Sequence, residues 1–215
     1  MMKTILATAT LAAAAIASPA AAVTFVTTPG SAASFAPPAG TLVNFNGALP
    51  AGFTLTGTGY TVAAGSTAGV RATPAFSTTT NPYLSVSPGG IATLASTMAY
   101  SSVSIFLGSI DSFNTVEILN SAGVVLRSFT GGDFVADANG NQSLPSTNRR
   151  ITFKAGAGES ISGIRFLTRS PALEVDNVVF AVPEPTTWMM MLVGFGLVGM
   201  AMRSRRRSNV RVVFA

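Results

Sequence analysis

Histidine and cysteine are both absent from this 215-residue chain. Without histidine there is no Ser–His or Cys–His nucleophile pair, and the commonest zinc ligand is missing. Without cysteine there is no disulfide staple, no thiolate ligand and no thiol nucleophile. Tryptophan occurs once, at Trp188, and charged residues make up only 10% of the chain. There is no phosphate-binding glycine loop and no internal repeat. An ordinary hydrolase is hard to assemble from what remains, and the composition predicts a protein that is not an enzyme.

The charge that is present sits at the ends. The net formal charge is +5, but between Val23 and Val182 seven basic residues face seven acidic ones. The excess belongs to Lys3, Arg203, Arg205, Arg206, Arg207 and Arg211, less Glu184. A balanced central region lacks the basic field that phosphate recognition needs, so no nucleic-acid partner is expected.

Both ends are targeting segments. Lys3 precedes an apolar stretch from Thr4 to Ile16, and Ala20-Ala21-Ala22 offers the small residues a signal peptidase reads. Residues 1–22 therefore read as a signal peptide cleaved after Ala22, with Ala20 and Ala22 as its recognition positions. At the other end, Trp188 to Met202 contains no charged residue and is followed by Arg203, Arg205, Arg206 and Arg207. These fifteen residues give about 22 Å of helix, short of the ~30 Å hydrocarbon core. A single transmembrane helix over 187–202 is expected nonetheless, with Trp188 at one interface and the arginines snorkelling at the other. The arginines anchor the C-terminal side in the cytoplasm and leave the large domain outside. Pro183-Glu184-Pro185 before the helix is expected to be extended, because two prolines flanking one residue disfavour helix.

These residues carry a resemblance. Pro183, Glu184, Pro185 and Trp188, the methionines 189–191, the Gly194-Phe195-Gly196-Leu197-Val198-Gly199 core and the arginines resemble the PEP-CTERM sorting signal of Gram-negative bacteria. The subtype is the one with tryptophan three residues after the second proline, here with Met189 where alanine is usual. The same tail type is also catalogued as an ice-binding protein C-terminal domain. The resemblance implies that Pro183, Glu184 and Pro185 are read by exosortase, a multi-spanning membrane protease or transpeptidase. It also implies export across the inner membrane, a single-pass membrane intermediate, a final place at the cell surface or in the extracellular matrix, and a link to exopolysaccharide and biofilm. The expected organisation is a signal peptide (1–22), an exported domain (23–182), a sorting signal (183–208) and a cytoplasmic tail (209–215).

In the exported domain the apolar period is two. Val103, Ile105 and Leu107 alternate with Ser102, Ser104 and Phe106, Val116 and Ile118 with Thr115 and Glu117, and Ile151 and Phe153 flank Thr152. Further strands are predicted at Thr41–Phe45, Phe53–Thr58, Tyr60–Ala63, Tyr83–Val86, Ile91–Ala95, Val124–Phe129 and Ser160–Thr168. Serine, threonine and glycine separate them, and no amphipathic window of helical length occurs. The fold class is all-β, an antiparallel β-sandwich of jelly-roll or galactose-binding-like type, with Val23–Pro38 as an N-terminal arm.

The last strand, Leu173 to Phe180, holds the candidate ligands. Its alternation slips by one at Asp176-Asn177, which predicts a β-bulge. Together with Gly108 to Asn114 upstream, it looks like the core of many PEP-CTERM ectodomains and of galactose-binding-like sandwiches. Hard cations want several oxygens, so Asp111, Glu174 and Asp176 form a candidate calcium site, weighed against plain turn and backbone bonding by Asp and Asn. Asp137 to Asn141 begins like an EF-hand loop, but Gln142 fills the glycine position and no glutamate closes it. Asn139-Gly140 is instead a hairpin signal. Tyr60, Tyr83 and Tyr100 are candidate sugar platforms, and Thr54, Thr56 and Thr58 form one threonine run without companions. No other cofactor is expected. The function expected from these readings is a non-enzymatic surface or matrix protein; the alternative is a carbohydrate-binding module acting on exopolysaccharide. A hydrolase using only carboxylates such as Asp111 and Glu174 is a weaker third reading.

The charge pattern generates one test. Replacing Arg203, Arg205, Arg206 and Arg207 with serine should weaken retention of the tail, because the inner-side charge asymmetry disappears. Protease-accessibility mapping reads this directly, and a C-terminus found outside in the unaltered protein would defeat the topology.

Overall fold

The computed structural model describes residues 22–182 and 185–205: a β-domain followed by one helix. The strands are β1 (Thr24–Pro29), β2 (Thr41–Val43), β3 (Phe53–Ala63), β4 (Tyr83–Tyr100), β5 (Ser102–Gly108), β6 (Asn114–Leu119), β7 (Val125–Thr130), β8 (Arg149–Lys154), β9 (Ile161–Thr168) and β10 (Leu173–Ala181). Two single-turn helices, α1 (Ala32–Phe35) and α2 (Gly131–Phe134), interrupt them, and α3 (Pro185–Arg205) follows. All pairings between these strands are antiparallel. The all-β class expected from the period-two pattern is what forms.

The strands make one continuous sheet in the order β1-β8-β5-β10-β4-β9-β6-β7, with β2 added on β10 and β3 on β4. This differs from two separate sandwich sheets. The reason is β4, which belongs to both layers: Leu84–Val86 pair with β10, whereas Ile91–Ala95 pair with β9. Between those stretches lie Pro88, Gly89 and Gly90, opposite a bulge in β3 at Gly59. Gly89 has φ +71°, and the Gly59 backbone sits so close to Gly90 that a Cβ there would collide with it. Facing glycines thus let a long strand bend and carry the sheet over the core. They also explain why four predicted strands are two: Phe53–Thr58 with Tyr60–Ala63, and Tyr83–Val86 with Ile91–Ala95, are continuous through the bend.

The core lies inside the curl, where alternate residues of neighbouring strands face one another. Val103 pairs with Phe153 and Phe180, Ile105 with Ile151, Val175 with Leu107 and Leu84, and Ile164 with Ile118 and Leu94. All of these are fully buried. Each such side chain contributes about 1.5–3 kcal/mol on burial. In a chain with no disulfide, this apolar core is the main source of stability. The two ends of the sheet meet: Phe25 of β1 packs edge-on against Phe129 of β7 at 5.1 Å, and the Arg127 guanidinium donates to the Val23 carbonyl at 3.3 Å. The expected N-terminal arm is therefore half strand. Thr24–Pro29 pairs residue for residue with β8, a register that only the tertiary fold supplies.

One outer face of the sheet is covered by irregular chain. Arg150, projecting outward from β8, is buried and holds the α1 segment down. Its Nε donates to the Ser34 carbonyl at 2.8 Å, Nη2 to those of Phe35 (2.7 Å) and Ala36 (3.2 Å), and Nη1 to Asn177 (2.8 Å). The guanidinium also lies over the Phe106 ring at 5.8 Å.

At the C-terminal side α3 begins at Pro185, a residue suited to the first helical turn, so the extended conformation expected for the tripeptide does not include its last residue. Pro183, Glu184, Arg206, Arg207 and Ala20 lie outside the described residues; Ala22 is exposed just before β1, and Arg203 is exposed in the last turn. The apolar residues of α3 from Met189 to Met202 are exposed. No helix among the described residues is long and apolar enough to cross a membrane. This corrects the expected transmembrane helix over 187–202: the helix forms, but its charge-free run remains about 22 Å, below the hydrocarbon thickness.

Substituting Arg150 with methionine keeps the stem and removes four hydrogen bonds, those to the buried Ser34 and Asn177 residues among them. A loss of about 3 kcal/mol is expected, measured by urea unfolding of the purified protein. A change below 0.5 kcal/mol would show that the clamp is dispensable.

Candidate functional site

The outward residues of β10 are Glu174 and Asp176, and both are buried although they project from the sheet's outer face. They are covered by the loop between β3 and β4, residues 64–82. Glu174 stands opposite Gly108 of β5 and Ser85 of β4. A Cβ at Gly108 would press on Pro74, so the glycine lets the loop lie flat on the strand. The loop then supplies donors: the Ala72 N–H donates to Glu174 Oε1 at 2.7 Å, while the Ser109 hydroxyl donates to Oε2 at 2.7 Å. Asn148 Oδ1 accepts from the backbone N–H groups of Ala75 (3.2 Å) and Ser109 (3.1 Å). Two residues along β10, Asp176 Oδ2 accepts from Asn81 Nδ2 at 2.6 Å and Oδ1 from the Asn177 N–H at 2.6 Å. The predicted bulge is there: register shifts between Asp176 and Val179, and Asn177 has φ +48°. The bulge lets Asn177 Nδ2 reach the Phe35 carbonyl at 2.9 Å and offers its own carbonyl to Arg150.

Burial sets the acidity of these groups. Loss of water raises the Glu174 carboxyl to about 7, against the two hydrogen bonds that favour its charged form. Burial also raises Asp176 to about 7, with the Asn177 N–H, Arg150 and Asn81 acting the other way. The Arg150 guanidinium is lowered to about 10 by burial, with Asp176 opposing.

Beside Glu174 a cavity of about 420 Å³ opens where several loops meet, lined by Arg71, Ser109, Asp111, Gln142, Ala172 and Glu174 among others. Asp111 is raised by burial and packs under Gly140, where any Cβ would strike its carboxylate. The Asn139-Gly140 pair thus serves a loop bridged to Asp111, not the hairpin its sequence suggests. Of the three candidate calcium ligands, Glu174 and Asp111 reach this cavity, whereas Asp176 is turned toward Asn81 and the Arg150 side. Among the described residues no group of three or more acidic or histidine side chains is placed to hold a metal ion. Both Glu174 oxygens are occupied in bonds that fasten the loop. The tyrosine platforms do not form: Tyr83 is fully buried and its hydroxyl donates to the Gly65 carbonyl at 2.8 Å, Tyr100 is buried, and Tyr60 is half-buried against the core.

Several partners of this cluster escaped the sequence reading. Arg71, Asn81 and Asn148 come from loops or loop ends, where nothing in the local pattern marks a side chain as part of a cluster. Arg150 carried a weak signal, as a charged residue alternating with Ile151 and opposite Phe106 in the strand pair.

The molecule is thus an all-β domain with a polar, well-fastened outer face and an apolar helical tail joined directly to its last strand. Residues 181–207 match the PEP-CTERM protein-sorting motif, a tail that supports sorting by exosortase. No curated protein matches the chain. Among solved structures, the enzymatically active domain of bacteriophage CBA120 tailspike protein 4 is similar over 62% of this chain and 20% of its own, with 14% identity and a TM-score of 0.36. The match spans only a fifth of that chain, and at this distance it carries no function across.

The buried carboxyls predict an unusual pH profile. A carboxyl raised in the folded state keeps its proton while the unfolded chain has lost it, so the folded form is favoured below the folded value. Stability should fall as pH rises from about 4 through about 7 and level off above that. The melting temperature should therefore be higher at pH 5 than at pH 8, and Glu174→Gln should shrink that difference. An equal or opposite pH dependence would refute the assignment.

Proposed function

We propose that this chain is an exported, non-enzymatic protein that exosortase processes at its tail and delivers to the cell surface or extracellular matrix of a Gram-negative envelope. The observation that carries this reading is the sorting motif on residues 181–207, placed immediately after the last strand of a folded domain. The tail's physics supports it. A helix apolar on all sides, with Met190 75% and Leu192 73% exposed, has no stable home in water. Fifteen apolar residues, too few to span the hydrocarbon core, still favour burial in a bilayer over exposure to water. That arrangement holds the domain at the membrane until the enzyme acts. Pro183 and Glu184, read here as part of a substrate, supply the recognised group. No catalytic step and no cofactor is assigned to the β-domain. A role in an exopolysaccharide or biofilm matrix fits this delivery route.

A second reading is favoured by the loop cavity beside Asp111. Arg71, Gln142 and Asp111 together offer donors and acceptors of near-balanced charge, the set that vicinal hydroxyls of a saccharide engage. Affinity electrophoresis against the producing cell's own polysaccharide separates a binding module from a purely structural matrix protein: retardation supports binding, and unchanged mobility removes it.

Processing is tested at the motif. Glu184→Ala removes the acidic group, and Pro185→Ala lets the helix continue upstream; each should leave export intact and accumulate the full-length membrane-bound form. A mass spectrum of the wild-type protein from exosortase-positive cells is the direct check. A mature form still ending at Ala215 would sink the sorting reading.

A further inference from the structure

The sorting motif sits almost on the folded domain. Ala181, the last residue of β10, pairs with Ser102 of β5, and its carbonyl accepts from the Ser101 N–H at 3.0 Å and the Ser101 hydroxyl at 3.1 Å. The helix α3 begins at Pro185. Residues 182–184 alone join them, a reach of about 10 Å even when fully extended. A membrane enzyme that grips Pro183-Glu184-Pro185 therefore has to press against the end of the β-domain.

That end of the domain is not a neutral surface. A cavity of about 380 Å³ opens between β2, the end of β4 and the end of β10, and no charged residue lines it. Its floor is Tyr100 and Phe180, whose rings stand 5.1 Å apart and are themselves buried. Gly40 leaves one wall open: it has φ +143°, and its backbone lies so close to the Phe180 carbonyl that a Cβ would clash. The rim carries Met98, 61% exposed at the end of β4, and Val182, 53% exposed and adjoining the motif itself. An exposed, adaptable methionine over an aromatic floor is the composition of a docking pocket, not of a solvated strand end.

We infer that this apolar pocket is a docking site for the extracytoplasmic face of exosortase, so that recognition extends from the tail onto the folded domain. The inference rests on the exosortase reading of the tail. The occupant follows from spacing, since a protein seated on residues 183–185 covers a pocket whose rim residue is Val182.

The test uses the full chain in exosortase-positive cells and follows the rate of tail processing. Met98→Asp and, separately, Met98→Lys place a charge on the rim outside the motif; the position is exposed, so the melting temperature should not move. Each should slow processing about tenfold, the effect of losing one apolar anchor. Inserting ten glycine and serine residues between Val182 and Pro183 uncouples pocket from motif, and the Met98→Asp effect should then shrink toward none. A photoreactive residue at position 98 should crosslink to exosortase. Processing of both rim variants at the wild-type rate overturns the docking site, as does crosslinking to lipid only. An equal Met98→Asp effect with the spacer present overturns it too, because the substitution would then act on the protein at large. If the wild-type chain itself is never processed, the sorting reading fails and takes the docking site with it; normal wild-type processing with unaffected rim variants sinks the docking site alone.

Discussion

The outward face of β10 is the constraint on which the rest of this structure depends. Glu174, Asp176 and Asn177 project from a central strand into a space that irregular chain covers, and buried polar groups without partners cost several kcal/mol. The covering segments exist in their observed shape because they satisfy those groups. The 64–82 loop delivers the Ala72 N–H and the Asn81 amide to the two carboxyls, while α1 delivers three carbonyls to Arg150. Apolar contacts reinforce the polar row: Phe35 of α1 and Phe76 of the loop both pack edge-on against the Phe106 ring, at 5.0 and 6.5 Å.

The same row separates a structural role from a ligand role. A calcium site needs several oxygens with free lone pairs converging on one point. Here Glu174 and Asp176 each spend both oxygens on neighbouring donors, and their outward directions lead to different partners. Asp111, under Gly140, and Glu174 both line the loop cavity, but each Glu174 oxygen is already hydrogen-bonded. Whatever that cavity takes, Asp111, Arg71 and Gln142 are the residues available to it, and Glu174 mainly shapes its wall.

The tail obeys a different solvent. In the domain, apolar residues alternate and meet across strands; in α3 they surround the helix, with no face set aside for water. A single chain thus carries one segment stabilised by internal burial and another that requires burial elsewhere. The short connection between them brings an apolar pocket, the sorting motif and an apolar helix together within a few residues.

Strand existence was legible in the sequence because a half-buried strand writes its inward residues at every second position. Val103-Ile105-Leu107 and the slip at Asp176-Asn177 were therefore readable, and so was the sorting motif, whose residues are contiguous. Local pattern could not say that Thr24–Pro29 is an edge strand on β8, since its alternation is weak and its partner lies more than a hundred residues away. Nor could it join the two halves of β4, because the glycines that mark a chain break in sequence serve as a bend once Gly59 packs opposite them. Glu174 and Asp176 were legible as acidic residues of the last strand and Asp111 as one upstream, but their partners depended on which loops came to cover them. The sequence by itself determined the class of fold and the sorting tail, both encoded in short-range pattern. Only tertiary structure decided the closure of the sheet, the partners of Glu174 and Asp176, and the pocket beside the motif, because each is made by residues that meet across long stretches of chain.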